Sequence, residues 1–260
     1  MSSTRHPEIL KNLALGLAAA LSLAAAASIP SFAATPATST TRNAMNTEQK
    51  LSSKQQTIPP IAAATAIGDM QQLNTALNAG LDAGLDISEA KEILVQLYAY
   101  AGFPRSLNAL GELMKVLDAR KQRGVKDEPG RVAGPVPTGK ELLALGTANQ
   151  TTLSGAPVKG PLFEFAPAID KYLKTHLFGD IFARDTLDWQ SRELATVGAL
   201  AAMQGVESQL SSHIRISTNV GLTVPQLRHA ADVLAERGHA EAATRARVAI
   251  RKHIADGPGR

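Results

Sequence analysis

The sequence predicts an all-α fold made of two related helical repeats in one chain, and three observations lead to it. No stretch alternates apolar and polar residues with the period of two that a half-buried strand needs. Apolar residues instead recur at helical spacing behind capping residues, as in Ile87, Ala90, Ile93, Leu94 and Leu97, and again in Val224, Leu227, Ala230, Val233 and Leu234. Third, Gly68-Asp-Met-Gln-Gln-Leu-Asn-Thr-Ala76 lies 137 residues before Gly205-Val-Glu-Ser-Gln-Leu-Ser-Ser-His213, and the same offset pairs Gly84-Leu85 with Gly221-Leu222. A shared offset through several motifs points to duplication.

In chain order, residues 1–33 have the layout of a secretory signal peptide. Arg5 and Lys11 are positive, Leu13 to Ile29 is a run of about 17 mostly Ala and Leu residues, and Ser31-Phe32-Ala33 supplies small residues before a cleavage point after Ala33. The run is near the lower limit for a spanning helix. The expectation is a periplasmic or secreted protein with no membrane contact after cleavage. Residues 34–57 are rich in Thr, Ser, Ala, Asn and Gln and read as a flexible tether.

The first repeat covers 58–120. Asp86 or Ser88 caps a helix there, with Glu89 and Glu92 near its start. In Leu97-Tyr-Ala-Tyr-Ala-Gly-Phe-Pro-Arg-Ser-Leu-Asn108, the Gly-Phe-Pro break separates two helices because Pro104 cannot continue the first. Residues 121–160 carry Gly124, Pro129, Gly130, Gly134, Pro135, Pro137 and Gly139 and read as a linker, with a short helix from Thr138 to Leu145. The second repeat covers 161–256. Aromatic and aliphatic residues recur at helical spacing from Phe163 to Phe182, and Thr223 caps a later helix with Pro225 in its first turn.

Composition excludes several functions. The chain has no Cys, so disulfide exchange, thiol peroxidase turnover and Cys-metal sites are ruled out. The net charge of +4 falls to +3 when Arg5, Lys11 and Glu8 leave with the signal. That is too mild to argue for nucleic acid, and the few aromatic residues are not interleaved with Arg or Lys. Phosphate-binding and dinucleotide fingerprints, the Gly-x-Ser-x-Gly elbow and His-Glu-x-x-His are all missing. The histidines are too scattered to suggest a metal centre.

The segment RDTLDWQSRELATVGALAAMQGVESQLSSHIRISTNVGL, ending at Leu222, resembles the helical core of the carboxymuconolactone decarboxylase family, which includes AhpD-like alkyl hydroperoxidases. Residues 97–108 resemble the family's "YAG-P" signature, and Gly179-Asp-Ile-Phe-x-Arg-x-x-Leu187 resembles its lead-in. The resemblance spans about 58–120 and 160–256. In the redox branch the tract after Gly205 reads Gly-Cys-x-x-Cys-x-x-x-His; here Val206 and Gln209 fill the cysteine positions and His213 keeps the histidine.

The resemblance implies a proton relay between Glu193 and His213. Imidazole is the side chain best able to exchange a proton near neutral pH. Glu207, in the first turn after Gly205, is a third acid–base candidate, or simply a charge favoured by a helix N-terminus. Arg105 is the candidate anchor for a substrate carboxylate. Gln209 can orient a substrate, and His176 can line a pocket from its aromatic-rich helix. Tyr98 and Tyr100 face different directions, so one of them, assigned here as Tyr100, enters the site. His229, His239 and His253 lie among charges and read as a solvated face.

Three functions fit these residues. One is a cofactor-free acid/base lyase or isomerase, decarboxylase-like, acting on a small carboxylate or lactone. Another is a non-catalytic helical module that binds a small molecule or forms an oligomer. The third, an AhpD-type peroxidase, is disfavoured by the missing cysteines. Relatives assemble from single-repeat chains, so the resemblance implies a homo-oligomer here, a dimer or trimer.

Overall fold

The computed structural model describes residues 50–257, which lie in a single compact unit. The signal peptide and most of the tether fall outside the described residues. Every regular element among the described residues is helical. The first is α1 (Ser53–Ile67), followed by α2 (Met70–Asp82), α3 (Ile87–Gln96), the single turn α4 (Tyr98–Ala101) and α5 (Phe103–Gln122). Then come α6 (Gly139–Ser154), α7 (Pro161–Phe165), α8 (Pro167–Tyr172) and a π-helical segment, Leu173–Ile181. The chain continues through α9 (Trp189–Ala202), α10 (Glu207–Asn219), α11 (Val224–Glu236) and α12 (Ala240–Asp256).

Two helices form the axis of the molecule. α1 is buried from Thr57 to Ala66 and α9 from Ser191 to Ala201. They run so close that a Cβ on Gly198 would stand 2.6 Å from the Pro59 carbonyl oxygen. Glycine on one helix and proline on the other leave little but backbone at the crossing, so these two cores touch directly. Around this axis α2, α3 and α5 begin at residues 70, 87 and 103, and α10, α11 and α12 at 207, 224 and 240. One continuous apolar core, from Leu51 to Ile250, draws on both sets.

Local chemistry places the starts. Ser52 and Gln55 form a reciprocal capping box at α1, as Asp86 and Glu89 do at α3 and Thr223 and Gln226 at α11. α1 ends at Gly68 (φ 75°), whose left-handed backbone turns the chain into Asp69, the cap of α2. Gly102 (φ 85°) makes the break before α5, at the Gly-Phe-Pro motif.

Several expected boundaries shift. The tether expected to run to 57 gives way to helix at Ser53, because the polar Ser52–Gln55 box, which composition alone reads as flexible, is a helix start. The linker contains a 16-residue helix, α6, where a short one was expected. Its Gly146 lets it sit against the Lys174 carbonyl of the π-helical segment, where a Cβ would clash at 1.7 Å. The rest of the linker is held down: Glu128 and Pro129 carbonyls accept from the Ile87 and Ser88 N–H groups, and Asp127 pairs with Arg120. The Phe163–Phe182 stretch splits at Ala166 into two short α-helices and the π-helical segment, with Pro167 opening the second. Leu177, Phe178, Ile181 and Phe182 then join Leu153 and Ile216 in a smaller second core, on which Tyr98 and Tyr100 pack.

Candidate functional site

Glu193 and His213 come together where α9 meets α10. On α10 the buried residues Leu210, His213, Ile214 and Ser217 follow the spacing of a core-facing stripe, so the helix carries its histidine inward. Glu193 lies in the second turn of α9, in the middle of the buried run. His213 Nδ1 stands 2.8 Å from Glu193 Oε2. His213 retains 8% of its surface and Glu193 none. A carboxylate accepting from Nδ1–H fixes the imidazole tautomer and leaves Nε2 as the nitrogen that can give or take a proton.

Tyr100 completes the cluster from the first half of the chain. Its ring meets the His213 ring edge-on, with centroids 5.5 Å apart. Its hydroxyl and Glu193 Oε1 are both buried with no hydrogen-bond partner among the described residues. Burial, and then the nearby Glu193 charge, push the Tyr100 phenol well above its ordinary value, so it stays protonated and keeps a neutral O–H to donate. Tyr98 points elsewhere: it stacks on Phe103 at 4.3 Å and lies near His176.

A buried ionic network beside the pair had no forewarning in the sequence. Glu92 of α3 accepts from Arg184 Nε and Nη2 at 2.9 and 2.6 Å, and from Arg192 Nη2 at 3.0 Å. Gln96 donates to the Arg192 carbonyl and to Thr196 Oγ1, both at 2.8 Å. Burial by itself would raise the Glu92 carboxyl, but the two guanidiniums outweigh it and hold it below its usual range. Burial is also the main influence on Arg192, lowering it against the pull of Glu92. These contacts tie α3 to α9 one residue before Glu193. In the sequence Arg192 stands beside Glu193 near a helix start, and both Arg192 and Glu92 read as ordinary charges there.

The other sequence-predicted residues are not brought to the pair. Glu207 is exposed and its carboxylate accepts from the Gly205 N–H at 3.1 Å, so it fastens the start of α10. Its own backbone N–H, and then that of Gly205, hold its carboxyl below the usual range. Gln209 is exposed and accepts from Ser208 Oγ at 2.8 Å. Arg105 lies against Gly68 at the C-terminal end of α1, where its charge favours the helix dipole. His176 is exposed on the π-helical segment and pairs with Asp180 at 2.6 Å. His239 corrects the expectation of a solvated face: it is 7% exposed, folded in by the positive-φ turn at Gly238 and by its N–H donating to the Leu234 carbonyl.

No group of three or more His, Asp or Glu among the described residues is arranged to hold a metal ion. Among the same residues no helix is long and apolar enough to cross a membrane.

The fold and the pair define an all-helical protein with an internal, cysteine-free Glu–His dyad. Residues 167–252 match the model of the Carboxymuconolactone decarboxylase family, which supports that family for the part of the chain from α8 to α12. The match includes Glu193 and His213 and leaves out Tyr100 and the whole first set of helices. No curated protein matches the chain.

Proposed function

We propose that the protein is a cofactor-free acid/base lyase or isomerase of the carboxymuconolactone decarboxylase type, acting on a small carboxylate or lactone. The observation that carries this reading is the buried 2.8 Å contact between His213 Nδ1 and Glu193 Oε2. In a decarboxylation, the bond from carbon to the carboxylate breaks and its electron pair stays on carbon. His213 Nε2–H protonates that carbon, CO₂ leaves, and water returns the proton to the ring. Glu193 stabilises the imidazolium before the transfer and orients it during the transfer. Tyr100 supplies a neutral donor to the oxygen on which charge builds. Arg105 has no part in this scheme, because it is committed to the end of α1. Peroxidase chemistry has no thiol to use.

The same reading includes duplication, export and self-assembly. The 137-residue offset holds for the starts of three helices in each set, which supports two related helical units sharing one core. Tyr100 from one unit and the Glu193–His213 pair from the other then form one composite site. The leader-like residues 1–33 support a periplasmic or secreted location. Exposed Phe103, Leu107 and Met114 on α5 support a homo-oligomer, dimer or trimer.

The test is spectrophotometric decarboxylation of γ-carboxymuconolactone by the chain from Ala34, with His213→Asn and Glu193→Gln alongside. Turnover that falls about 100-fold or more in both variants is the expected result, in line with loss of general acid–base catalysis. Turnover untouched by His213→Asn would overturn the site, and no turnover by the parent protein on this substrate or on related small lactone acids would overturn the lyase reading.

A further inference from the structure

A cavity of about 190 Å³ is lined by α1, α2 and the turn between α11 and α12. Its walls include Thr57, Gln72, Ala76, Ala79, Arg237 and His239. Adding 137 to Ala76 gives His213, to Gln72 gives Gln209, and to Tyr100 gives Arg237. The cavity therefore stands at the position that would hold a second copy of the composite site. It is open because its side chains are smaller: Thr57, Ala76 and Ala79 take the places of Leu194, His213 and Ile216. In the filled copy those three positions are buried.

The exchange also changes the chemistry. The position of the neutral Tyr100 phenol is taken by the Arg237 guanidinium, which makes no side-chain hydrogen bond or ion pair among the described residues. His239 is buried in the wall and opens α12, whose N-terminus has no side-chain cap and contributes positive potential. The nearby acids are engaged: Asp69 accepts from the Gln72 N–H at 2.9 Å and from Gln72 Nε2 at 2.8 Å, and Glu241 in the first turn of α12 pairs with Arg245 at 3.5 Å. Pro60, Ala76 and Ala79 give the interior an apolar surface. An arginine without a side-chain partner in the lining of a concave, partly apolar cavity is the arrangement that takes a carboxylate on an apolar body. A cavity of about 150 Å³ accommodates benzene, so this one has room for a ring bearing a carboxylate.

We infer that this cavity is a second ligand site, converted from the duplicated composite site, that binds a small monocarboxylate of about benzoate size through Arg237. The duplication reading explains the origin of the site, but the cavity and its charge stand without it.

The experiment is calorimetric titration of the chain from Ala34 with benzoate, cyclohexanecarboxylate and, as the neutral control, methyl benzoate. Variants are Arg237→Ala, an exposed position that leaves the core intact, Ala76→Leu, which fills the cavity, and His213→Asn, which alters only the other site. The expected result is one saturable carboxylate site, weakened tenfold or more by Arg237→Ala and by Ala76→Leu and unchanged by His213→Asn. Chemical denaturation of each variant shows which of them still fold. No saturable binding of either carboxylate overturns the proposal. So does binding that survives both cavity variants, binding lost only in His213→Asn, or methyl benzoate binding as tightly as benzoate. None of these outcomes depends on decarboxylation, so this site and the lyase reading can fail separately.

Discussion

Three helices of one set and three of the other start 137 residues apart, yet the positions that this offset pairs differ: one side is sealed and full of paired charge while the other is open and nearly empty of it. On the sealed side are Arg192, Glu193 and His213, with Glu92 clamping Arg192. On the open side the corresponding residues are Gln55, Gln56, Ala76 and His229. Gln55 only closes the capping box of its own helix, Gln56 donates to the Leu51 carbonyl, and His229 accepts from the Leu51 N–H. The difference shows what it takes to keep a carboxylate and an imidazole inside a protein. Burying charge is costly unless every group has a partner. The sealed side provides partners through residues contributed by both sets of helices, and the open side has lost the buried carboxylate–imidazole pair together with its clamp.

The largest effect should come from cutting the clamp. Arg192→Ala leaves Glu92 buried with one guanidinium and should cost about 3–5 kcal/mol in urea denaturation, as removal of one partner of a buried ion pair does. Gln55→Ala, the corresponding change on the open side, should cost less than about 1 kcal/mol, the scale of a helix cap. Equal losses would mean that the ionic network is no more structural than the cap and would remove the contrast.

Acidity should divide the two sides next. Glu92 is held below its ordinary value of 4.5, so the unfolded chain takes up a proton there before the native state does. The stability it contributes is complete above the unfolded value and is lost as pH falls through the lower folded one. Denaturation midpoints measured below pH 5 should therefore fall less steeply in Glu92→Gln than in the parent protein. An unchanged slope would show that Asp69 and Glu112, which are also held low, dominate acid unfolding.

The smallest effect belongs to the open side. Burial is the main influence on His239 and lowers its imidazole below 6.5, with Asp69 opposing it. The unfolded chain again binds the proton first, so this contribution is present above pH 6.5 and disappears as pH falls through the folded value. His239→Gln should flatten the stability profile as pH falls below 6.5, and only slightly, because the Asp69 charge opposes the burial. A steeper profile in the variant would mean that His239 is charged in the native protein.

Much of this arrangement was legible before any coordinates. The Thr223 cap, the Gly-Phe-Pro break and the split between Tyr98 and Tyr100 follow from local rules, because capping, proline geometry and helical spacing act over a few residues. His213 was legible through the resemblance and also lies on an inward stripe. Arg105 and Gln209 have suitable chemistry at plausible spacings, but spacing does not reveal that one arginine already serves the end of α1 or that a residue one position off the stripe faces water. Arg237 and His239 lie among charges and read as a solvated face, because residue type does not reveal that the turn at Gly238 folds His239 inward.

The sequence by itself determined that the described chain is helical, where several of its helices begin, and that no thiol chemistry is possible, since each depends on residue type and near-neighbour pattern. Only the tertiary structure decided which charges meet. The clamp joins residues about 100 positions apart and the pair spans 20. Such contacts depend on how closely two helices cross, and here that distance is set where Gly198 rests on the backbone of Pro59.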